Sequence, residues 1–189
     1  MELWNAPLNG SAIHLAVEGS CGGTSLGIQM ARQAIVDGGR VLWAAPELPD
    51  GTRFSQIFSG MELTASSRFH AMNLVGNMDQ SIQSLVNAAK MLPGVALVVL
   101  DDYCPDSGQL PKDVVSAVNK LIEGSDWTTL LISKGGVAMD SSPLIARGRN
   151  KLDADEVWLL TRPEENSKRT LWVDDEEVSL RLTEEGFQR

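Results

Sequence analysis

One stretch near the start of the chain decides the fold: Ala12-Ile13-His14-Leu15-Ala16-Val17-Glu18-Gly19-Ser20-Cys21-Gly22-Gly23-Thr24-Ser25-Leu26. Its first six residues are mostly apolar and predict a strand. The glycine-rich segment then leads into a helical pattern that runs from Thr24 to Asp37. A strand, a glycine-rich turn and a helix in this order are typical of loops whose backbone N–H groups hold phosphate. The stretch therefore predicts an α/β fold with a phosphate-binding loop after its first strand.

The loop departs from the nucleotide-binding pattern G-x-x-x-x-G-K-[ST], in which the lysine reaches the β- and γ-phosphates and the hydroxyl binds Mg²⁺. Aligned from its C-terminal end, it has Gly23-Thr24-Ser25 where the pattern has G-K-S. It thus lacks the lysine, is one residue short and predicts a degenerate Walker A loop. Ser25 is then the Mg²⁺ hydroxyl, or an ordinary residue at a helix start. The predicted nucleotide-binding residues are Gly19, Ser20, Cys21, Gly22, Gly23, Thr24 and Ser25.

Composition and charge narrow the class of protein. The 189 residues are 43% hydrophobic and 22% charged, which is typical of a folded domain with a sizeable core. No apolar run reaches the length of a membrane span, and the first residues lack the basic start of a signal peptide, so we expect no membrane partner and a cytoplasmic location. The net charge of −9 is a poor match to nucleic acid. A local basic patch remains possible at Arg147, Arg149 and Lys151.

Short apolar runs alternate with amphipathic segments, which predicts βαβ units and a mostly parallel central sheet flanked by helices. The wholly apolar run Val95–Leu100 predicts a central strand buried on both faces. Further strands are predicted at 41–44, 71–75 and 128–133, and helices at 52–58, 80–92 and 112–123. Three short strands at 156–161, 170–174 and 178–182 predict a C-terminal antiparallel β extension. We expect one domain, 1–189, with a core at 10–150 and the extension at 151–189.

Two carboxylates follow predicted parallel strands, where ligands of α/β sheets bind. Asp101 ends the run Val95–Leu100 and is a candidate to hold Mg²⁺ through water; the alternative is a polar residue that only ends a strand. Glu47 follows the second strand and is a candidate general base for a water that attacks a γ-phosphate. A turn carboxylate is an equally good interpretation of Glu47 on physical grounds.

The order and spacing of these motifs resemble the RecA superfamily, and most closely the archaeal RadB-like recombinase paralogues. Glu47 with the following Arg53-Phe54 resembles the family's D-T-E motif and its Arg-Phe pair. Gly135-Gly136 resembles the start of the mobile DNA-contacting loop, and Thr183 to Phe187 resembles the closing I-T-x-x-G-[IF] tail. The resemblance spans residues 10 to 187. It implies a RecA-like P-loop NTPase fold, with Glu47 as the catalytic carboxylate and Asp101 as the second acidic motif.

The departures from the family bear on hydrolysis. Besides the missing lysine, Ala45-Pro46 replaces the family's Asp-Thr, and Ser133-Lys134 replaces its Asn-Gln. Phosphoryl transfer depends on positioning and charge neutralisation, and the loss of one preorganised group commonly costs ~3–4 kcal/mol. Lys134 is a candidate substitute cation, in its own site or in a neighbour's; the alternative is a solvated lysine at a strand end.

Three functions follow from the resemblance. The first is a RadB-like accessory protein in DNA recombination or repair, with weak or absent binding and hydrolysis of ATP and Mg²⁺. The alternative is a nucleotide-independent structural subunit of a ring or filament, as in RecA-like Elongator subunits. The third is an active ATPase with an unusual loop. Protein partners or a homo-oligomer are expected, whereas single-stranded DNA has little support, since the loop 103–108 holds no basic residue.

Overall fold

The computed structural model describes residues 2–137, 139 and 144–189. The strands are β1 (Ala12–Val17), β2 (Arg40–Ala45), β3 (Phe69–Asn73), β4 (Val95–Asp101), β5 (Thr128–Lys134), β6 (Glu156–Thr161), β7 (Lys168–Val173), β8 (Glu176–Thr183) and β9 (Gly186–Gln188). The helices are α1 (Gly23–Val36), α2 (Gly51–Ile57), α3 (Leu63–Ser66), α4 (Met78–Met91) and α5 (Lys112–Glu123). In the part of the chain that the structure describes, none of these helices is long and apolar enough to span a membrane.

The strands form one nine-stranded sheet in the order β3-β2-β4-β5-β1-β6-β7-β8-β9. Neighbours from β3 through β6 run parallel, and β6 through β9 run antiparallel. The predicted α/β class, with a mostly parallel central sheet, flanking helices and C-terminal antiparallel strands, is confirmed. Two details go beyond the prediction. β6 pairs parallel with β1 before the antiparallel strands begin, and a fourth C-terminal strand, β9, follows the three that the sequence indicates.

The central strands are buried on both faces because their side chains alternate between two apolar cores. In β4, Leu97 and Val99 belong to the core that also contains the buried face of α1. Val98 and Leu100 belong to the opposite core, with α4 and α5. All four side chains are fully buried, and burial of each stabilises the fold by roughly 1.5–3 kcal/mol. The predicted central strand buried on both faces is confirmed.

The edge strand β3 begins two residues earlier than the sequence pattern indicates. Phe69 starts the strand because it packs into an aromatic group, with ring centroids 4.9 Å from Phe54, 5.8 Å from Phe58 and 5.9 Å from Trp43. Aromatic packing of this kind stabilises beyond simple burial. Val75, included in the predicted strand, is instead 75% exposed beyond its end.

The last strand, β9, is hydrogen-bonded to α1, the helix that follows the glycine-rich loop. The side-chain amide of Gln29 donates to the carbonyl oxygens of Trp4 at 2.6 Å and Phe187 at 3.0 Å, and its oxygen accepts from the Phe187 amide at 2.6 Å. Because buried amides need such partners, Gln29 fixes β9 and the N-terminal segment beside the loop. The C-terminal strands therefore pack against the glycine-rich loop, with Leu182 and Phe187 next to Gly22.

Candidate nucleotide site

An open cleft of about 580 Å³ lies at the carboxyl ends of the parallel strands. Ligands of parallel α/β sheets bind at this edge, because the loops after the strands meet there. The cleft brings together the glycine-rich loop, the start of α1, the turn after β2 and the ends of β4 and β5. The predicted site residues that line it are Gly19, Ser20, Cys21, Gly22, Gly23, Thr24, Ser25, Glu47, Asp101 and Lys134.

The hydrogen bonds at the start of α1 correct the alignment of the loop. The Thr24 hydroxyl donates to Asp101 Oδ2 at 2.8 Å, whereas the Ser25 hydroxyl accepts from Arg53 Nε at 2.8 Å. Thr24, and not Ser25, therefore lies where the pattern's metal-binding hydroxyl is expected. Gly22 then takes the place of the second glycine, and its φ of 96° suits a residue without Cβ. In this register the first position of the pattern falls on Val17, so the loop lacks the first glycine as well as the lysine.

The loop offers backbone donors to an anion. Gly22 precedes α1 without a side-chain cap. Among the described residues, the amides of Gly23, Thr24 and Ser25 have no hydrogen-bond acceptor, while the next amide, that of Leu26, donates to the Gly22 carbonyl at 2.9 Å. Free N–H groups at a helix start hold phosphate or sulfate, helped by the helix dipole. The backbone part of a phosphate site is thus present.

The structure leaves no space for a lysine side chain at the position where the pattern requires it. In the corrected register, Gly23 stands at the lysine position and Val17 at the position of the first glycine. An ideal Cβ at Gly23 would lie 2.5 Å from Val17 Cγ2, and real Cβ atoms essentially never approach within 3.0 Å. The residues present therefore do not fit a Mg²⁺-bound triphosphate held as the pattern describes, although Thr24 and Asp101 still offer oxygen atoms to a hydrated cation.

The electrostatics of the cleft also disfavour a triphosphate. Six acidic side chains line it against two basic ones, Arg53 and Lys134. Burial raises the pKa of Asp101 to about 6, in part opposed by the hydrogen bond from Thr24. Burial likewise raises the pKa of Asp102, helped by Asp106 and Glu47. Because burial is the main cause of both shifts, ionised carboxylates in the cleft are poorly compensated for the loss of water.

The two other predicted catalytic groups line the same cleft from exposed positions. Glu47 lies in the bend after β2, and its side chain is exposed to solvent. Lys134 ends β5, and its Nζ lies 3.8 Å from Asp106 Oδ2, with half of the lysine side chain exposed. Exposed pairs at this separation contribute little to stability, so Lys134 can move toward a ligand at small cost.

Two arginines hold the site in ways that the sequence did not indicate. Arg169 lies in a basic stretch of the tail, yet it is buried, and its Nε donates to the Cys21 carbonyl of the loop at 2.9 Å. Arg53 joins three segments, through Ser25, through Gln56 Oε1 at 3.1 Å and through the Glu184 carbonyl at 2.9 Å. Neither role carries a local signal, because the contacts with Ser25, Glu184 and Cys21 join residues that are distant in the sequence.

Neither a reactive thiol nor a direct metal-binding cluster is found among the described residues. Both cysteines are free and buried, and burial raises the pKa of Cys21 to about 11 and raises that of Cys104. Thiols with raised pKa values are poor nucleophiles. Within the described ranges, no three His, Cys, Asp or Glu side chains converge to hold a metal ion.

The strand order, the loop between β1 and α1, and the carboxylate at the end of β4 beside it define a RecA-like α/β fold. Among solved structures, a RadB recombinase superposes on this chain with a TM-score of 0.74 at 15% sequence identity. The match covers 94% of this chain and 90% of that chain. No protein-family model and no curated protein sequence matches the chain. The comparison thus shows the fold, over nearly the full length of both chains.

Proposed function

We propose that the protein is a RadB-like accessory factor in DNA recombination or repair, which binds ATP and Mg²⁺ weakly or not at all. The observation that carries the proposal is the full-length similarity to a RadB recombinase, 94% of this chain against 90% of that one. A fold can host many functions, so the geometry of the site decides how much of the recombinase chemistry is retained. Protein partners or further copies of the chain would supply the rest.

The altered loop supports weak or absent nucleotide binding. Gly23 provides no charge for the β- and γ-phosphates, and the acidic lining adds repulsion. The backbone amides at the start of α1, with Thr24 and Asp101, still suit a phosphate and a hydrated cation. In this proposal Glu47 keeps the position of the catalytic carboxylate, and Lys134 is the substitute cation, in cis or in a neighbouring copy.

Calorimetry with ATP and Mg²⁺ tests the nucleotide part. We expect the wild-type protein to bind with a Kd near or above 1 mM, and Lys134→Ala to weaken any measurable binding further. Glu47→Gln serves as the matched comparison, because it removes a charge from the same cleft without adding a cation. Tight, Mg²⁺-dependent binding by the wild-type protein would refute the degenerate site.

The basic residues leave only a small surface for DNA. Arg147, one of the three clustered basic residues, donates to the carbonyl oxygens of Lys134 at 3.0 Å and Gly108 at 3.1 Å. Its guanidinium is thus engaged by backbone carbonyl groups of the protein itself. Arg149 and Lys151 remain exposed. Two cations on a chain of net charge −9 favour a protein partner over strong DNA contact.

A fluorescence titration with single-stranded DNA at two salt concentrations tests direct contact. The informative variant is Arg149→Ala with Lys151→Ala. Its matched control is Lys90→Ala with Lys120→Ala, which removes the same charge from the last turns of α4 and α5. If DNA binds through the patch, only the first pair lowers the salt slope, by roughly 0.7 per lost phosphate contact. Micromolar affinity with a clear slope supports the recombination role.

One observation favours a second candidate, a structural subunit that needs no nucleotide. Val17 fills the space next to Gly23, so the site has changed in more than its lysine. A structural subunit would assemble equally well with and without Mg-ATP and would not bind single-stranded DNA. Light scattering with and without nucleotide, read together with the DNA titration, separates the two candidates.

A further inference from the structure

The side chain of Val17 occupies the space that a side chain at position 23 would need. A Cβ added to Gly23 would lie 2.5 Å from Val17 Cγ2, 3.2 Å from Val17 Cγ1 and 3.2 Å from Ile132 Cγ2. The first distance is a steric clash. The contact with Ile132 is tight, but a shift of the Ile132 methyl group by a few tenths of an ångström would relieve it. Val17 is therefore the residue that prevents any side chain at position 23.

The backbone of Val17 is fixed by strand pairing on both sides. It is 9% exposed and ends β1, between Lys134 of β5 and Leu160 of β6. Its carbonyl accepts from the Gly135 amide at 2.8 Å. A β-branched side chain in a strand has few rotamers to choose from, although Val17 borders the open cleft on one side.

We propose that Val17 and Gly23 are a coupled pair that excludes lysine from the loop and makes Val17 a specificity-determining residue of the cleft. With Val17 present, the loop can hold an anion only through backbone N–H groups, as it would a single phosphate group or a sulfate. The β- and γ-phosphates of a nucleotide lose their usual cation. This inference rests on the proposed origin of the cleft as a P-loop site, but not on any role in recombination.

The pair accounts for why one substitution cannot restore the nucleotide pattern. Gly23→Lys alone forces a new side chain against Val17. Val17→Ala removes both Val17 methyl groups that a side chain at position 23 would meet. In this background the lysine side chain can extend into the cleft. The effect of the double substitution on stability should therefore differ from the sum of the effects of the two single substitutions.

A thermal-unfolding cycle tests the coupling without nucleotide. In the wild-type background, Gly23→Ala should lower the Tm by about 3–10 °C, as overpacked cores do. In the Val17→Ala background, the same change should lower it by less than about 2 °C. Gly27→Ala is the matched control, because its Cβ would meet Ile132 at 2.8 Å and Trp43 at 2.9 Å. Val17→Ala should not relieve that variant. An equal Tm loss for Gly23→Ala in both backgrounds would overturn the proposal.

Mg-ATP titration of the same proteins tests the specificity. Val17→Ala with Gly23→Lys should bind Mg-ATP at least ten-fold more tightly than the wild-type protein, and Gly23→Lys alone should show no such gain. Equal affinity of the single and double variants, or a folded double variant with no gain, would refute Val17 as the determinant. The single-stranded DNA titration is independent of this result, so failure of the recombination role is recognised separately.

Discussion

The hydroxyl of Thr24 donates a hydrogen bond to the buried carboxylate of Asp101 over 2.8 Å, and it joins the first turn of α1 to the end of β4. This contact fixes the register of the glycine-rich loop. It also offsets part of the burial that raises the pKa of Asp101 to about 6. The hydroxyl therefore stabilises the ionised carboxylate, in a cleft where few cations are available to do so.

Thr24→Val should destabilise the protein by about 1–3 kcal/mol at pH 8, because it leaves an ionised, buried acceptor without its donor. It should also raise the pKa of Asp101 further. Thr24→Ser keeps the hydroxyl and should cost about 1 kcal/mol or less. Urea unfolding of both variants at pH 8 measures the difference. Equal stability of the two variants would mean that the hydroxyl does not support the carboxylate.

Arg169→Ala should destabilise the protein by about 2–4 kcal/mol, because the buried guanidinium donates to the carbonyls of Cys21, Asn166 and Lys168. Arg181→Ala is the matched control: it removes the same charge from an exposed position on β8 and should change stability by no more than about 0.5 kcal/mol. Denaturant unfolding compares the two. Similar losses for both would show that Arg169 contributes only its charge.

Much of the fold could be predicted because buried parallel strands have a strong signature. The run Val95–Leu100 is apolar at every position, so both faces must be buried, and α5 shows one apolar face at helical spacing. The direction of β6 could not be predicted, since its apolar run 157–160 looks the same whether the neighbouring strand is parallel or antiparallel. β9 has three residues and α3 has four, too few for any periodicity to show.

The site could be predicted in composition but not in register. The segment from Gly19 to Gly23 contains three glycines, so the sequence allows two alignments of the loop equally well. Only the hydrogen bond from Thr24 to Asp101 distinguishes them. The obstruction at position 23 was equally hidden, because it depends on where the Val17 methyl groups lie. The supports Arg53 and Arg169 reach across 131 and 148 residues, and such contacts exist only once the chain has folded.

Both cysteines should resist alkylation in the folded protein. The Cys21 thiol has a pKa of about 11 and is fully buried, so at pH 8 only about one thiol in a thousand is ionised. Iodoacetamide should modify Cys21 and Cys104 at least ~100-fold more slowly in the folded than in the denatured state. Ser59→Cys places a thiol at an exposed position and is the internal standard. Modification of Cys21 as fast as of the introduced thiol would contradict the burial.

Acid should destabilise the protein through His14, which is fully buried in β1. Burial, followed by the charges of Arg149 and Arg147, lowers the pKa of His14 to about 4. Above pH 6.5 the imidazole is neutral in both the folded and the unfolded states. As the pH falls from 6.5 towards 4, only the unfolded chain takes up the proton, so the free energy of unfolding decreases.

The full effect is about 3 kcal/mol at pH 4. His14→Gln keeps a polar group near the Ser133 hydroxyl, which lies 3.3 Å from His14 Nε2, and removes the titration. Urea unfolding of the wild-type protein and of this variant between pH 7.5 and pH 4 isolates the contribution, because all other groups titrate in both proteins. The wild-type protein should lose stability relative to the variant below pH 6.5. Parallel curves would mean that His14 takes up its proton equally well in the folded state.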